Sequence, residues 1–166
     1  MRPTGNRLSK SMANHRDLFL IACFTGLRFS DWPQIDSKNI KDGALVVKQV
    51  KTGKTVTIPL HPVVRALLAQ YENGFKLISA AKSNKYIKTI CDKAKIDKKI
   101  TTHTARRSFC TNAYLAGDRA QSIMKISGHS NEATFLRYLK LNGADHAKLM
   151  QAESKFFNDA AWMSVA

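Results

Sequence analysis

Residues 127–138 read SGHSNEATFLRY and separate two helical patterns, one over residues 120–126 and one over residues 132–139. Gly128 is typical of the residue that follows the last turn of a helix. Taken alone, His129 is a turn or capping histidine and Tyr138 a half-buried core tyrosine. The segment therefore predicts two helices joined by a short turn, and a function for either residue needs support from the rest of the chain.

Helical patterns also cover most of the chain on either side of this segment. A nearly all-apolar helix is predicted over residues 16–24, capped by Asn14 and ended by Gly26, and a short helix is predicted around Asp31. Further helices are predicted over residues 62–71, 86–94 and 105–116. Residues 146–161 predict a final amphipathic helix, whose apolar residues are Leu149, Met150, Phe156, Phe157 and Trp162.

One β-hairpin interrupts these helices. Residues 44–50 are β-branched and apolar, residues 51–54 read KTGK, and residues 55–60 alternate apolar and polar side chains. This pattern is typical of two strands joined by a tight turn, and it places Lys51 at the turn. The predicted fold class is therefore mainly α with a small antiparallel β-sheet.

The charge balance indicates a polyanionic partner. The chain has 27 Lys and Arg residues against 12 Asp and Glu, a net charge of +15. Residues 82–107 alone carry nine basic residues against two acidic ones. Such a run in isolation is as readily a solvated helix face, but the excess over the whole chain favours phosphate contact and places nucleic acid ahead of a membrane surface.

Cysteine usage and hydropathy exclude several classes of protein. Cys23, Cys91 and Cys110 are scattered singly, which favours reduced thiols in a cytosolic protein. No spacing typical of a zinc site is present, so no metal is expected. The apolar run 18–24 is short and directly preceded by Asp17, and no run approaches the roughly 20 apolar residues of a membrane span, so neither a signal peptide nor a membrane partner is predicted.

Four short motifs occur in an order that is similar to a known family. Residues 25–31, TGLRFSD, resemble the first arginine box of the phage integrase, or tyrosine recombinase, family, and residues 51–60 resemble its hairpin lysine segment. Residues 103–109, HTARRSF, resemble its H-x-x-R box, and SGHS followed by Tyr138 resembles its final box. Each residue alone has an ordinary structural explanation; together they imply the catalytic-domain fold of that family.

The resemblance implies metal-free cleavage of DNA by Tyr138, which would join to a 3′ phosphate. The pentacoordinate phosphorus formed during the attack carries extra negative charge, and fixed guanidinium groups suit its oxygens. By resemblance those groups belong to Arg28 and Arg106. Lys51, with Lys54 as the alternative, would protonate the leaving 5′ oxygen.

Three more residues take roles from the same resemblance. His103 would accept the proton of the attacking tyrosine, because a neutral imidazole is a suitable base. His129 matches the position that supports the scissile phosphate, and Asp31 matches a carboxylate that holds the site in place. Lys54, Lys85, Lys88 and Arg107 are expected to contact DNA.

The resemblance also implies a domain plan and partners. Residues 1–13 would be the linker from a core-binding domain upstream, residues 14–143 the catalytic domain, and residues 144–166 a C-terminal helix that docks on a neighbouring subunit or folds back. The expected partners are double-stranded DNA and further recombinase subunits in a synaptic tetramer, the chain being a monomer alone. No cofactor is expected, and the location would be the bacterial cytoplasm, at the nucleoid.

Two departures from the family pattern leave the subfamily open. Ala105 and Arg107 flank the arginine of the H-x-x-R box, where Leu and His are commonest, and Ser127 stands where the final box often has Leu. Similar variants occur in integrases of conjugative transposons. Two other functions remain as alternatives: a type IB topoisomerase, which reseals without joining duplexes, and a DNA-binding module of the same fold without catalysis.

Overall fold

The computed structural model describes residues 8–71 and 73–153 of the chain. Its first helix, α1 (Lys10–Thr25), begins six residues before the predicted start at residue 16, because Ser9 and not Asn14 caps it: the Ser9 Oγ accepts from the Met12 amide. Asn14 instead exchanges two hydrogen bonds with the backbone of Lys76. Residues 10–13, predicted to belong to the N-terminal linker, are therefore helical.

The sheet has three antiparallel strands, β1 (Ile40–Lys41), β2 (Ala44–Lys48) and β3 (Thr55–Pro59), in that order. The predicted hairpin is the β2–β3 pair, while β1 was not predicted because two residues are too few to show an alternation. Leu45 pairs with Ile58 and Val47 with Val56, and these four side chains form the buried face. The loop between β2 and β3 is closed by hydrogen bonds from Gln49 N to Lys54 O and from Gly53 N to Gln49 O.

Six further helices are described. They are α2 (Pro62–Leu68), α3 (Ala80–Lys93), α4 (Thr102–Leu115), α5 (Ala120–Ser127), α6 (Glu132–Leu139) and α7 (Gly143–Glu153). The prediction for α6 is confirmed residue for residue, and α2 ends at Leu68 and not at Tyr71. The predicted continuation of the last helix, with Phe156, Phe157 and Trp162, lies outside the described residues.

Two apolar clusters hold these elements together. The larger one joins α1, the sheet and α2 with the short 3-10 helix Phe29–Gln34, and it includes Leu18, Ile21 and Trp32. The smaller one joins α4, α5 and α6 through Cys110, Ile123, Phe135 and Leu139. Helix α4 packs along α1, and this contact brings the end of α1 and the start of α4 close to the turn after α5.

The contact between α1 and α4 requires glycine at one position. Gly26 ends α1 with φ 66°, and a Cβ atom there would lie 2.3 Å from Cδ1 of Phe109 on α4. Any other residue would clash with the ring and also adopt an unfavourable left-handed backbone conformation. Gly26 thus sets the distance between the two helices. None of the described helices combines the length and the apolar character that a membrane span requires.

Candidate active site

Arg28 lies just past the end of α1, and its side chain is fixed at two points. One guanidinium nitrogen donates to Gln49 Oε1 over 3.0 Å and the other donates to the carbonyl of Gly128 over 3.1 Å. The residue is half-buried. Arg28 therefore connects the hairpin to the turn between α5 and α6, two segments that are far apart in sequence.

Arg106 projects from α4 into the same region and is 3% exposed. Its side chain reaches the region of Arg28 because α4 begins at Thr102, one turn before Arg106. Thr101 and Thr104 form the capping box that starts this helix. Its guanidinium donates to the carbonyl of Gly26 over 2.8 Å and to the carbonyl of Ser127. Burial, and then the charge of Arg28, lowers the pKa of Arg106.

Neither arginine has a carboxylate partner. The one salt bridge found among the described residues joins Arg16 to Asp17, whereas Arg28 and Arg106 donate to amide and carbonyl oxygens. Neutral acceptors orient a guanidinium without cancelling its charge, and a guanidinium keeps its proton at physiological pH. The two side chains thus form a fixed pair of positive charges with no carboxylate in contact, and the buried Asp31 acts on Arg106 only without such a contact. Such a pair is suited to an anion.

Gln49 is a residue of this site that the sequence did not single out. It follows β2 and is 1% exposed. Its Oε1 accepts from Arg28 and, over 2.8 Å, from Thr52 Oγ1, while its Nε2 donates to the carbonyl of Ile126 over 3.2 Å. A Cβ on Gly128 would lie 2.3 Å from this Oε1, so the amide also requires glycine at that turn. In the sequence, the only sign of this role was a glutamine close to the turn residues of the hairpin.

Lys51 lies at the hairpin turn and is exposed. It lines a cleft of about 350 Å³ together with Arg28, His103 and Arg106. Asp31, which is fully buried, accepts from the amide of Val50 over 2.8 Å through Oδ1. The backbone next to Lys51 is therefore hydrogen-bonded to the 3-10 helix that follows Arg28. Through this contact Asp31 holds the hairpin turn close to Arg28.

His129 follows Gly128, whose φ of 72° turns the chain after α5. The ring is half-buried, and its Nδ1 lies 2.8 Å from Ser127 Oγ. Burial, followed by the charges of Arg106, Arg28 and His103, lowers the pKa of His129 to about 4. The imidazole is consequently neutral at pH 7. It lines a second cleft, of about 690 Å³, in which Gln49, Lys54 and Lys125 also lie.

Tyr138 lies near the end of α6, between the two histidines. Its ring centroid is 5.5 Å from that of His103 and 5.0 Å from that of His129. The hydroxyl is buried and has no hydrogen-bond partner among the described residues. Burial raises the pKa of Tyr138, and the charge of Arg106 opposes that rise. Desolvation, and then the charges of Arg106 and Arg107, lowers the pKa of His103, so this imidazole is also neutral at pH 7.

The other three tyrosines have different surroundings. The Tyr71 hydroxyl donates to Asp17, Tyr86 lies within 3.4 Å of Ser11 Oγ, and the Tyr114 ring packs on Phe135. Among the predicted DNA contacts, Arg107 acts on His103 and Lys54 lines the cleft beside His129, whereas Lys85 and Lys88 are exposed on α3 and line neither cleft. No group of three or more potential metal ligands is found in the described part of the chain.

The arrangement has the parts of an acid–base site around an anion. Two fixed cations could bind an anion, an exposed ammonium could act as an acid, imidazoles could act as bases, and a phenol lies beside them. All six predicted catalytic residues lie in this one region, on segments that span residues 28–138 of the chain.

Known proteins are similar to this chain in sequence and in fold. The chain is 24% identical over 118 residues to the integrase of Escherichia phage P2, an alignment that covers 70% of this chain and 35% of that protein. Among solved structures, the XerA recombinase matches with a TM-score of 0.67 and 19% identity over 93% of this chain and 66% of that one. The Tn1549 transposon integrase in complex with circular intermediate DNA matches with a TM-score of 0.65 and 20% identity, over 87% of this chain and 61% of that one.

The matches cover only part of the length of each known protein. The chain spans about a third of the phage P2 integrase and 66% or less of the two recombinase chains. At these identities the structural matches concern the fold, which is the mainly helical catalytic-domain fold with a small antiparallel sheet. The phage integrase family model covers residues 5–144. The chain therefore belongs to the phage integrase family.

Proposed function

We propose that this chain is the catalytic part of a site-specific DNA recombinase that cleaves and rejoins DNA through a 3′-phosphotyrosyl intermediate. The observation that carries the proposal is the pair of guanidinium groups without carboxylate partners beside a buried tyrosine hydroxyl. This combination supports an anion site, because a buried charge is ordinarily paired with an opposite charge and a buried hydroxyl is ordinarily hydrogen-bonded.

In the proposed reaction a scissile phosphate binds between Arg28 and Arg106. The Tyr138 Oη attacks phosphorus while its proton passes to neutral His103, and the bond from phosphorus to the 5′ oxygen breaks. Lys51 Nζ gives that oxygen a proton, which leaves a 3′-phosphotyrosyl bond and a free 5′ hydroxyl. Rejoining is the reverse, with a 5′ hydroxyl as nucleophile. The two guanidiniums stabilise the charge of the pentacoordinate phosphorus, so the scheme needs neither metal nor cofactor.

The partners follow from this reaction. Double-stranded DNA is the substrate, and strand exchange needs several subunits around two duplexes; the isolated chain is expected to be a monomer. A lambda integrase fragment that is structurally similar was solved as a dimer bound to a core site. In this proposal Lys54 and Arg107 contact DNA near the scissile phosphate, and Lys85 and Lys88 contact it further away. Integration or excision of a mobile element on the bacterial nucleoid, in the cytoplasm, is the proposed task.

The test is covalent trapping in EDTA. A pool of duplexes with randomised sequence is nicked just 3′ of a candidate cleavage point, so that the released 5′-hydroxyl fragment diffuses away and the adduct accumulates. The native chain should form an adduct that survives denaturation, while Tyr138→Phe should form none and Tyr114→Phe should match the native chain. Equal adduct from the native chain and Tyr138→Phe would remove Tyr138 from the role of nucleophile.

The same assay separates the two alternatives. If un-nicked partner duplexes become joined to each other, the chain is a recombinase, whereas relaxation of supercoils without joining indicates the type IB topoisomerase activity. A chain that binds the duplexes and gives no adduct, also when an upstream DNA-binding domain is supplied, is the catalytically silent module. A strict requirement for Mg²⁺ would contradict the proposed metal-free step.

A further inference from the structure

Ser127 is a fully buried residue at the end of α5 whose hydroxyl makes two short hydrogen bonds and also neighbours the Cys110 thiol. Its Oγ lies 2.7 Å from the carbonyl oxygen of Ile123 and 2.8 Å from Nδ1 of His129. The ring atom facing Ser127 must be a nitrogen, because a carbon approaches oxygen only to about 3.3–3.6 Å even in weak C–H contacts. Ser127 therefore makes two real hydrogen bonds.

The protons in these bonds can be assigned from the chemistry of the partners. A carbonyl oxygen only accepts, so the single Ser127 hydroxyl proton must point to Ile123. The bond to His129 then requires the ring to donate, which places a proton on Nδ1. A neutral imidazole carries one proton, so its Nε2 has a free lone pair. Among the described residues no hydrogen bond to this Nε2 is found.

The surroundings of His129 are those of an anion site. Arg106 and Arg28 donate to the carbonyls of Ser127 and Gly128, the two residues that precede it. Their charges and that of His103 act on the ring, Tyr138 packs against it, and Lys54 and Lys125 line the same cleft. None of these neighbours is acidic. A neutral His129 can only accept at Nε2, whereas an imidazolium can donate to an anion there.

We propose that Ser127 is a positioning residue that holds neutral His129 with its proton on Nδ1, so that His129 must take up a proton before it can donate to a phosphate oxygen. Binding of a phosphodiester between the arginines is then coupled to protonation of His129. The identity of the anion in this coupling rests on the proposed function. The assignment of the His129 tautomer is independent of the proposed function.

The direction of the pH dependence follows from this coupling. Without an anion the pKa of His129 is about 4, because burial and the nearby cations disfavour the charged ring. A bound anion favours the charged ring and raises that pKa, so the affinity for phosphodiester rises as the pH falls through the higher, bound-state value. The gain is complete below about pH 4, where the ring is charged in both states.

The first experiment measures the tautomer by nitrogen-15 NMR of the histidine rings in the free chain at pH 7. His129 of the native chain should show the Nδ1–H form. In Ser127→Ala the Nδ1–H group would lose its acceptor in a half-buried site, so the ring should shift to the Nε2–H form. Ser83→Ala is the matched control, because it also removes a buried serine bonded to a histidine, His15, but not near the arginines. An Nε2–H form of His129 in the native chain overturns the proposal.

The second experiment titrates the same spectra with dimethyl phosphate, a phosphodiester anion, until the Arg106 resonances stop shifting. The pKa of His129 should rise by about 1–3 in the native chain and in Ser83→Ala, and by less in Ser127→Ala. An equal rise in all three chains, or no rise in the native chain, overturns the coupling. Both measurements omit DNA, so loss of covalent trapping would remove the proposed function without affecting this result. Ser127→Thr, which keeps the hydroxyl, should restore the native tautomer.

Discussion

Two clusters of arginine and tyrosine lie within the described residues 8–71 and 73–153, and they differ in whether a carboxylate contacts them. In the first, Arg16 pairs with Asp17 over 2.7 Å and the Tyr71 hydroxyl donates to the other oxygen of Asp17 over 2.6 Å. The carboxylate satisfies both neighbours. Burial, and then the hydrogen bond and charge of Asp17, raises the pKa of Tyr71 to about 12, so this phenol keeps its proton.

The second cluster, Arg28, Arg106 and Tyr138, has no such carboxylate in contact. The guanidiniums donate to neutral oxygens and the hydroxyl has no partner among the described residues. Burial raises the pKa of Tyr138 and Arg106 opposes that rise, whereas at Tyr71 the hydrogen bond and charge of Asp17 add to the effect of burial. Arginine and tyrosine occur in both clusters, so it is the absence of a contacting carboxylate that sets the proposed anion site apart from the first cluster.

The largest expected effect comes from weakening the second cluster at Arg106. Arg106→Lys keeps a positive charge but loses the planar fork that reaches both Gly26 and Ser127, so the rate of covalent adduct formation should fall on the order of 10²–10³-fold. The equivalent change in the first cluster, Arg16→Lys, should leave the rate unchanged. A normal rate for Arg106→Lys would mean that its geometry is not used in the reaction.

A smaller effect is expected when the missing carboxylate is introduced. Gln49→Glu places an acidic group 3.0 Å from the Arg28 guanidinium and makes the second cluster resemble the first. Such a bond to a charged group is worth about 1.5–3 kcal/mol, so competition with phosphate should slow adduct formation by about 10- to 100-fold. Gln70→Glu, an exposed change of the same charge, is the control. Cleavage by Gln49→Glu at the native rate would show that the reaction does not require an Arg28 guanidinium without a carboxylate partner.

The smallest effects are expected on stability. Here a change in the first cluster should have a larger effect than the equivalent change in the second cluster. Tyr71→Phe leaves an oxygen of buried Asp17 without its donor and should lower the free energy of unfolding by about 1–3 kcal/mol. Tyr138→Phe removes a hydroxyl that has no partner and should change it by less than about 0.5 kcal/mol. Urea denaturation of both variants gives the comparison, and a larger loss for Tyr138→Phe would show that its hydroxyl has a structural partner.

Local patterns predicted much of this molecule. Helix α6 lies where the periodicity of residues 132–139 indicated, and the hairpin with Lys51 at its turn follows from strand and turn chemistry within about 16 residues. The start of α1 was wrong because Ser9 and Asn14 are both good caps, and the contact of Asn14 with Lys76 decides between them. That contact depends on packing, which no local pattern shows.

The same limit applies to the site. The four motifs identified the residues that carry charge or an ionisable group, whose roles remain predictions. Gln49 and Ser127 carry no charge of their own and act through hydrogen bonds, and the partners of Gln49 are up to 77 residues away. Ser127 was noted only as a departure from the family pattern, because the orientation of its hydroxyl toward Ile123 and His129 depends on how α5 ends. The role of an amide or hydroxyl side chain therefore depends on the partners that the fold brings to it.

The hydrogen bonds of the two arginines also determine when the site can exist during synthesis. Arg106 donates to a carbonyl 80 residues earlier, and Arg28 to one 100 residues later. A chain emerging from the ribosome has Arg28 long before Gly128, and contacts of such large sequence separation form late because the intervening loop must first close. Until residue 128 has been added, neither arginine has its full set of acceptors. The nascent protein therefore carries both arginines for a time before the arginine pair of the proposed cleavage site is formed.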